Sequence, residues 1–271
     1  MTALEEQIEA LDYGDLFSFV PIQARADDAR ALLALHTAVA TAKTPFAYLE
    51  VGSYRGGSLQ VLIRDPRCSC LMSIDSRTAE TPDETRGDYT YEENTTALML
   101  ELLSQVPGAD MSKLATFETT TETMSPAALP QRPDWCFIDG EHSHGAVLTD
   151  ARFCAEALGG VGVIAFHDWG IVQSAIKAFV RERWRDISFA LAMNRPNDPR
   201  AGHGVFALEL GDSGILRHPA IRRATGARSH GLWRVANRPR VSALPLLLAW
   251  DAMPAIDSTL ARARGLARSR R

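Results

Sequence analysis

The hydrophobic residues of this chain fall into short, nearly continuous runs that alternate with segments of helical spacing. Apolar runs of four to eight residues bounded by polar turns are typical of buried β-strands. Such runs lie near 46–51, 70–75, 114–118, 134–139, 161–166, 186–192 and 203–210. Helical spacing predicts helices near 56–65, 91–105, 143–158 and 171–184. Alternation of this kind predicts an α/β fold with a mostly parallel, doubly wound sheet and helices on both faces.

The two ends of the chain differ from this alternating centre. A helix is predicted to begin at Asp27 or Asp28 and to end before Pro45. The last two predicted strands are joined by residues 194–200, which are too few and too irregular for a crossover helix, so we expect an antiparallel edge hairpin. These patterns divide the chain into an N-terminal helical extension (1–45), an α/β domain (46–211) and a C-terminal extension (212–271).

Composition adds the class of protein. The 271 residues are 46% hydrophobic and 23% charged, as in soluble globular proteins. No apolar run approaches the roughly 20 residues that span a bilayer. The first residues include Glu5, Glu6 and Glu9 instead of a basic and then apolar signal, so we expect a cytoplasmic protein. The cysteines suggest neither a disulfide framework nor a zinc site; they are Cys68, Cys70, Cys136 and Cys154.

Charge is unevenly distributed. The whole chain carries −4, yet residues 212–271 contain 12 arginines and three aspartates, a balance of +9. A basic segment of this kind suits an acidic partner, nucleic acid or an anionic membrane surface, or it is simply a solvated end. Few aromatic residues are present there to stack bases, so nucleic acid is not expected.

The first polar motif follows the first predicted strand. Residues 50–58 read Glu-Val-Gly-Ser-Tyr-Arg-Gly-Gly-Ser, and Asp75 closes the next strand. Glycines allow a tight turn and close approach of a ligand to the backbone, while an acid about 20 residues later suits ribose hydroxyls. Glu50 favours a ligand with a positive group over a pyrophosphate. The alternative is a purely structural strand-to-helix turn.

Two further strands end in polar residues. One ends at Asp139, followed by His142, and the other ends at His167 and Asp168. Because carboxyl ends of parallel strands line one crevice, these side chains are expected to meet. Two carboxylates and an imidazole suit Mg²⁺ or Mn²⁺, with Fe²⁺ and Zn²⁺ as alternatives. The competing interpretation is that the aspartates only cap the following helices.

With these motifs, residues 45–210 resemble class I S-adenosylmethionine-dependent methyltransferases with a Rossmann-like fold. More narrowly, they resemble the metal-dependent O-methyltransferases of the catechol and macrolide-sugar type. The resemblance implies that S-adenosyl-L-methionine is the cofactor. It implies cofactor contacts from Glu50, Gly52, Ser53, Tyr54, Gly56, Ser58, Asp75 and Thr119.

The same resemblance implies a divalent metal, most simply Mg²⁺, held by Asp139, His167 and Asp168. These families usually place a carboxylate where His167 stands. The resemblance also implies that His142 is the general base, with His144 as a rival. The metal would lower the pKa of a substrate hydroxyl, and His142 would remove its proton. The expected acceptor is a small hydroxylated molecule: a sugar, a glycosylated natural product or a phenol.

Two other functions stay open on the sequence. The same fold with iron would suit an oxidation like that of the cephalosporin hydroxylase group. A non-catalytic methyltransferase-like module could instead bind nucleic acid through the basic extension. The two extensions, 1–45 and 212–271, also offer surfaces for a homo-oligomer.

Overall fold

The computed structural model describes residues 2–81, 88–193, 204–225 and 233–234. The helices are α1 (Ala3–Ala10), α2 (Tyr13–Leu16), α3 (Ala26–Ala42), α4 (Thr96–Ser104), α5 (His144–Ala157), α6 (Gln173–Arg183) and α7 (Pro219–Thr225). The strands are β1 (Phe46–Val51), β2 (Cys68–Ile74), β3 (Glu80–Thr81), β4 (Tyr89–Thr90), β5 (Leu114–Phe117), β6 (Trp135–Ile138), β7 (Gly162–Phe166), β8 (Ile187–Ala192), β9 (Phe206–Leu210) and β10 (Trp233–Arg234).

Eight strands form one sheet in the order β10-β8-β9-β7-β6-β1-β2-β5, and β3 pairs with β4 apart from it. Strand β1 is parallel to both β2 and β6, and β6 is parallel to β7. The chain runs outward from β1 through β2 to β5 and then returns to place β6 on the other side of β1. This change of direction opens a crevice at the carboxyl ends of β1 and β6. The predicted doubly wound sheet is confirmed.

The antiparallel pairing predicted for the last two strands is confirmed. The order of the strands in the sheet was not predicted. Strand β9 is antiparallel to both β7 and β8 and lies between them. Helix α6 carries the chain past the position that β9 later fills, so β8 runs parallel to β7. The predicted loop at 194–200 falls in the stretch 194–203, which lies outside the described residues.

One predicted helix is wrong. Residues 56–64 form consecutive turns, whereas the sequence pattern predicted a helix over 56–65. The amide of Leu59 bonds to the Gly56 carbonyl three residues back, while the amide of Ile63 bonds to Leu59 four residues back. Gly56 has φ +82°, which an α-helix does not accept. The helical spacing of the apolar residues therefore reflects one buried face of this segment, although its backbone lacks regular α-helical hydrogen bonds.

Helices cover both faces of the sheet and bury one apolar cluster on each. One cluster joins the inner faces of α1, α3 and α7 to the sheet, and the other joins those of α5 and α6. All six residues of β1 are buried, which explains the continuous apolar run of a strand covered on both sides. The helical extension 1–45 thus shares its core with the sheet.

The structure describes only part of the C-terminal extension, residues 212–225 and 233–234. Residues 215–217 form a 3₁₀ turn, and α7 packs its Ala220 and Ile221 into the same core as α3. Residues 226–232 and 235–271, which hold most of the basic C-terminal extension, lie outside the described residues. None of the described helices is long and apolar enough to cross a membrane.

A buried polar pair ties α3 to the turns after β1. The Nε2 atom of His36 lies 2.7 Å from Oδ2 of Asp65, and both side chains are buried. The guanidinium of Arg67 donates to both oxygens of the same carboxylate. Burial alone would raise the pKa of Asp65, but hydrogen bonds from His36 and Arg67 hold it well below its usual range. The carboxylate is therefore ionised and fully partnered.

We expect the Asp65→Asn substitution to lower the free energy of unfolding at pH 7 by about 3–5 kcal/mol, because it removes one charge of a buried network. Urea unfolding measures this change. Since the folded pKa of Asp65 is depressed, its contribution is complete above its unfolded pKa of about 4 and is lost as pH falls below it. The loss should therefore shrink in acid.

The control is Asp27→Asn, which breaks an exposed ion pair with Arg30 and should cost less than about 1 kcal/mol. Equal losses in the two variants would show that the buried network adds nothing.

Candidate functional site

A cavity of about 770 Å³ opens where β1, β2, β6 and β7 end. That volume is in the range of small-molecule and cofactor sites. The predicted site residues that line it are Glu50, Gly52, Ser53, Tyr54, Ser58, Asp75, Thr119, Asp139, His142, His167 and Asp168. The carboxyl ends of the parallel strands thus bring the glycine loop and the acid–histidine motifs into one space.

The turn after β1 is held to the end of β2. The amide of Tyr54 donates to Oδ2 of Asp75 at 2.8 Å, and the amide of Arg77 donates to Oδ1 at 2.8 Å. The carboxylate is therefore fixed in position at the cavity wall. Gly52 has φ +85°, and a Cβ there would overlap the backbone of Asp139. Only glycine lets the loop after β1 approach the end of β6 this closely.

Glu50 is a buried carboxyl group at the cavity floor. The Tyr48 hydroxyl donates to its Oε2 at 2.5 Å, and the Ser58 hydroxyl donates to its Oε1. Desolvation by burial raises the pKa of Glu50 to about 8, although the two hydroxyl donors oppose that rise. The group is therefore neutral at pH 7. A ligand ammonium placed beside it would favour the ionised form.

Gly56 is the predicted cofactor residue that does not line the cavity. A Cβ at Gly56 would lie 3.0 Å from side-chain atoms of both Met99 and Leu103, so its place is in the packing against α4. The neighbouring Gly57 does line the cavity, and a Cβ there would overlap the carbonyl oxygen of Pro21. The glycine pair therefore serves close packing on two sides.

The loop after β5 supplies the far wall. Oγ1 of Thr119 lies 2.8 Å from Oγ1 of Thr123. Nearby, Thr121 donates to Asp150 of α5, a buried acid whose pKa burial raises to about 7. Sequence analysis missed Asp150 because it lies on the second turn of a helix with no accompanying motif. Its contribution to the cavity wall depends on the packing of α5 beside this loop, which the sequence pattern does not predict.

The acid–histidine group, which consists of Asp139, His167 and Asp168, comes together as predicted. Nδ1 of His167 lies 2.9 Å from Oδ1 of Asp139 and 3.6 Å from Oδ1 of Asp168. Its Nε2 lies 3.6 Å from Oδ2 of Asp28, a buried residue of α3 that the sequence indicated only as a possible helix start. Burial alone would lower the pKa of His167, but Asp139, Asp28 and Asp168 together raise it well above its usual value. The imidazole is a buried cation between carboxylates.

This arrangement does not fit the metal that the resemblance implied. The residue types, two carboxylates and an imidazole, suit a divalent ion. However, both ring nitrogens of His167 face carboxylates, so neither lone pair is directed to an open coordination position. Across the described residues, no group of three His, Cys, Asp or Glu side chains is arranged to hold a metal ion. Metal binding stays a prediction from the sequence.

His142 lies in the cavity with a carboxylate beside it. Its Nε2 is 3.9 Å from Oδ2 of Asp168. The rival His144 does not line the cavity, since its Nδ1 lies 2.9 Å from the Ser174 hydroxyl of α6. Ser143 provides the side-chain cap of α5, which leaves Asp139 available to the cavity. The structure therefore places His142, and not His144, where a base could reach a ligand.

Sequence analysis also missed Arg77, a largely buried side chain behind the glycine loop. Its guanidinium donates to the Tyr54 carbonyl, to the Ser53 hydroxyl at 3.1 Å and, through Nε, to Thr96 of α4 at 3.1 Å. No motif marks it, although it stands two residues after Asp75. Arg77 joins the loop after β1, the carboxylate of Asp75 and α4 into one unit.

Strained backbone conformations are concentrated around the cavity. Among the described residues, five that are not glycine have positive φ, and Tyr54, Arg77 and Asp168 are three of them. Such conformations cost of order 1–3 kcal/mol each and persist where surrounding contacts enforce them. Their position around one cavity supports a functional interpretation of the cavity.

The N-terminal extension forms the remaining wall. The cavity is lined there by Pro21, Ile22, Gln23, Ala24 and Leu32. The sequence assigned these residues to a separate helical extension, with no signal that they reach the ligand site. A site built only from the predicted α/β domain would therefore be open on this side.

Comparison with known proteins agrees with the architecture. Residues 49–169 match a family model described as a methyltransferase domain. This match agrees with the resemblance to methyltransferases that the sequence motifs indicate. The structure is similar to that of the O-methyltransferase NovP, with a TM-score of 0.51 at 14% identity over 68% of this chain and 80% of that one. At this identity the likeness shows the fold.

Two further similarities are weaker. Cofactor-bound Rv0187 from MTB gives a TM-score of 0.48 at 15% identity, over 78% of this chain and 90% of that one. An uncharacterized protein of Acanthamoeba polyphaga mimivirus, R132, is 24% identical over 129 residues, which are 47% of this chain and 53% of that protein. The chain therefore spans about half the length of the curated relative it matches.

The raised pKa of Glu50 predicts a pH-dependent stability. The folded protein keeps the proton of Glu50 up to about pH 8, whereas the unfolded chain loses it near pH 4.5. Stability should fall between these values as pH rises. Relative to wild type, the E50Q variant should gain up to about 1.4 kcal/mol of unfolding free energy per pH unit from pH 5 to 8. Urea unfolding at several pH values measures the slope.

The matched control is E101Q, which changes an exposed glutamate of α4. Its stability difference from wild type should not vary with pH. A flat difference for E50Q as well would mean that Glu50 is ionised in the folded protein.

Proposed function

We propose that this protein is an S-adenosylmethionine-dependent O-methyltransferase that transfers a methyl group to a hydroxyl of a small molecule. One observation carries the proposal. The fixed carboxylate of Asp75 and the loop that begins at Gly52 share a cavity with the His142 and Asp168 pair. A cofactor site and a proton acceptor in one cavity are what methyl transfer to a hydroxyl requires.

The cofactor would lie along the turn after β1. Asp75 would accept hydrogen bonds from the ribose hydroxyls, because its two oxygens are held by backbone amides and retain acceptor capacity. Glu50 would face the positively charged methionine end, with Ser58 and Tyr48 orienting its carboxyl group. The loop at Thr119 would lie near the adenine. The methyltransferase domain match supports this assignment.

The chemistry follows from His142. In its neutral form, Nε2 would accept the proton of the acceptor hydroxyl, and Asp168 would stabilise the imidazolium that forms. The acceptor oxygen would attack the methyl carbon of the sulfonium. A C–O bond forms, the C–S bond breaks, and its electron pair returns to sulfur, leaving S-adenosylhomocysteine. The protein mainly holds the two reactants in line and excludes water.

Divalent-metal assistance is not used in this mechanism, since His167 does not present an open ligand position. Magnesium dependence remains a prediction that assays with and without a chelator would test. The iron-dependent oxidation and the nucleic-acid-binding module also remain alternatives. Oxygen consumption would support the first, and a salt-sensitive shift with mixed RNA would support the second. The sugar, glycoside or phenol acceptor, the cytoplasmic location and the homo-oligomer are likewise predictions.

Asp75→Ala should weaken S-adenosylmethionine binding about 10–100-fold, because it removes charge-assisted hydrogen bonds worth about 1.5–3 kcal/mol. Calorimetric titration of the wild type and the variant measures the change. Asp110→Ala, which alters an exposed acid remote from the cavity, is the control and should bind as wild type does. Wild-type protein that does not bind the cofactor at all would refute the proposed function.

His142→Ala should lower kcat about 10²–10⁴-fold, the contribution expected of a general base, while S-adenosylmethionine affinity is kept. Turnover is followed as release of S-adenosylhomocysteine with a set of sugars, glycosides and phenols. His144→Ala removes the neighbouring histidine outside the cavity and should retain kcat. Full turnover by the His142 variant at neutral pH would rule out this residue as the base.

A further inference from the structure

The acid–histidine group contacts a residue from an unexpected part of the chain. Asp28 belongs to α3, and its side chain is buried. Its Oδ2 accepts the amide of Arg25 at 3.1 Å and lies 3.6 Å from Nε2 of His167. This contact joins the N-terminal extension to the end of β7.

His167 is enclosed on all of its polar sides. Nδ1 faces Asp139 and Asp168, and Nε2 faces Asp28. The ring also makes an edge contact with Phe137, with centroids 5.9 Å apart. Within the described part of the chain, Nε2 has no hydrogen-bond partner within 3.5 Å. The charge of Asp28 is therefore what fixes this end of the ring.

We propose that Asp28 is a positioning residue, which holds the His167 ring so that Nδ1 stays directed at Asp139. Asp139 is the most accessible member of this chain of contacts, with 28% of its side chain accessible, while His167 and Asp28 are buried behind it. Loss of Asp28 would let the ring turn, and Asp139 and Asp168, which both face Nδ1, would lose their fixed partner. Asp168 is the carboxylate beside His142, so the change would reach the proposed base. This inference rests on the proposed function, since it assigns α3 a role in the same site.

A purely structural role for Asp28 makes a different prediction. Asp28 also accepts the Arg25 amide at the start of α3. The D28N variant keeps an oxygen acceptor for that amide and nearly the same shape, but it removes the charge that faces His167. Asp27 stands beside it on the exposed side of the helix and pairs with Arg30. The D27N variant removes an equal charge without touching the site, so it is the matched control.

The experiment is ¹⁵N NMR of histidine-labelled full-length protein, recorded with chelator present, for wild type, D28N and D27N. The His167 ring signals are assigned by their loss in H167Q. We expect D28N to shift them and to speed exchange of the ring N–H proton, whereas D27N leaves them unchanged. Unchanged His167 signals in D28N would overturn the proposal, as would equal shifts in D28N and D27N.

Binding and turnover separate this inference from the proposed function. Calorimetry should give wild-type S-adenosylmethionine affinity for D28N, with kcat lowered about 100-fold, as for a group displaced by about 1 Å. Lost cofactor affinity would mark Asp28 as structural and overturn the inference. If wild type fails to bind cofactor, the proposed function fails, and the NMR comparison still decides whether Asp28 positions His167.

A second variant keeps the proposal testable should D28N fold poorly. D28E retains the carboxylate but moves it by one methylene group, so the His167 signals should shift from their wild-type positions. Its kcat should lie between that of wild type and that of H167Q. In the H167Q background, D28E should have no further effect on kcat. Additive losses in the double variant would overturn the coupling between the two residues.

Discussion

The contact between the backbones of Gly52 and Asp139 is the constraint on which the rest of the site depends. The amide of Asp139 bonds to the carbonyl of Val51 at 2.8 Å, so the last residues of β1 and β6 are in register up to the cavity. No Cβ can be accommodated at Gly52. If the two strand ends separated, the turn that bears Tyr54 would move away from the group formed by Asp139 and His167. The proposed cofactor site and the proposed base therefore depend on one backbone contact.

Burial of charge sets the character of this cavity. Desolvation keeps Glu50 protonated near neutral pH and raises the pKa of Asp150 to about 7. Asp139 and Asp168 instead have the buried His167 as a positive partner. The protein thus lowers the cost of burying acids in two ways, by neutralising some and pairing others. A ligand cation placed beside Glu50 would lower the pKa of that carboxyl group and favour its ionised form.

Much of this arrangement could be predicted from the sequence because it is local. Strand ends at Glu50, Asp75 and Asp139 are marked by apolar runs that stop at an acid, and parallel packing places such ends together. The apolar spacing at 56–65 predicts a helix because it depends on which face is buried, whereas the backbone bonding there is that of turns. Asp28 and Arg77 could not be identified, because each gains its role from partners distant in sequence. The position of β9 between β7 and β8 likewise depends on tertiary packing, which the sequence pattern does not predict.

The contacts that hold the N-terminal segment have a consequence for how the protein folds. The amide of Val20 and its carbonyl both bond to the side chain of Gln60, 40 residues later in the sequence. Pro21 packs against Gly57 with no space for a Cβ, and Asp28 finds His167 only after β7 exists. Contacts of such long sequence separation form late because chain entropy opposes them. The segment around Val20 and Pro21 is therefore expected to become ordered late, so the cavity would gain the wall that this segment forms only after most of the sheet has formed.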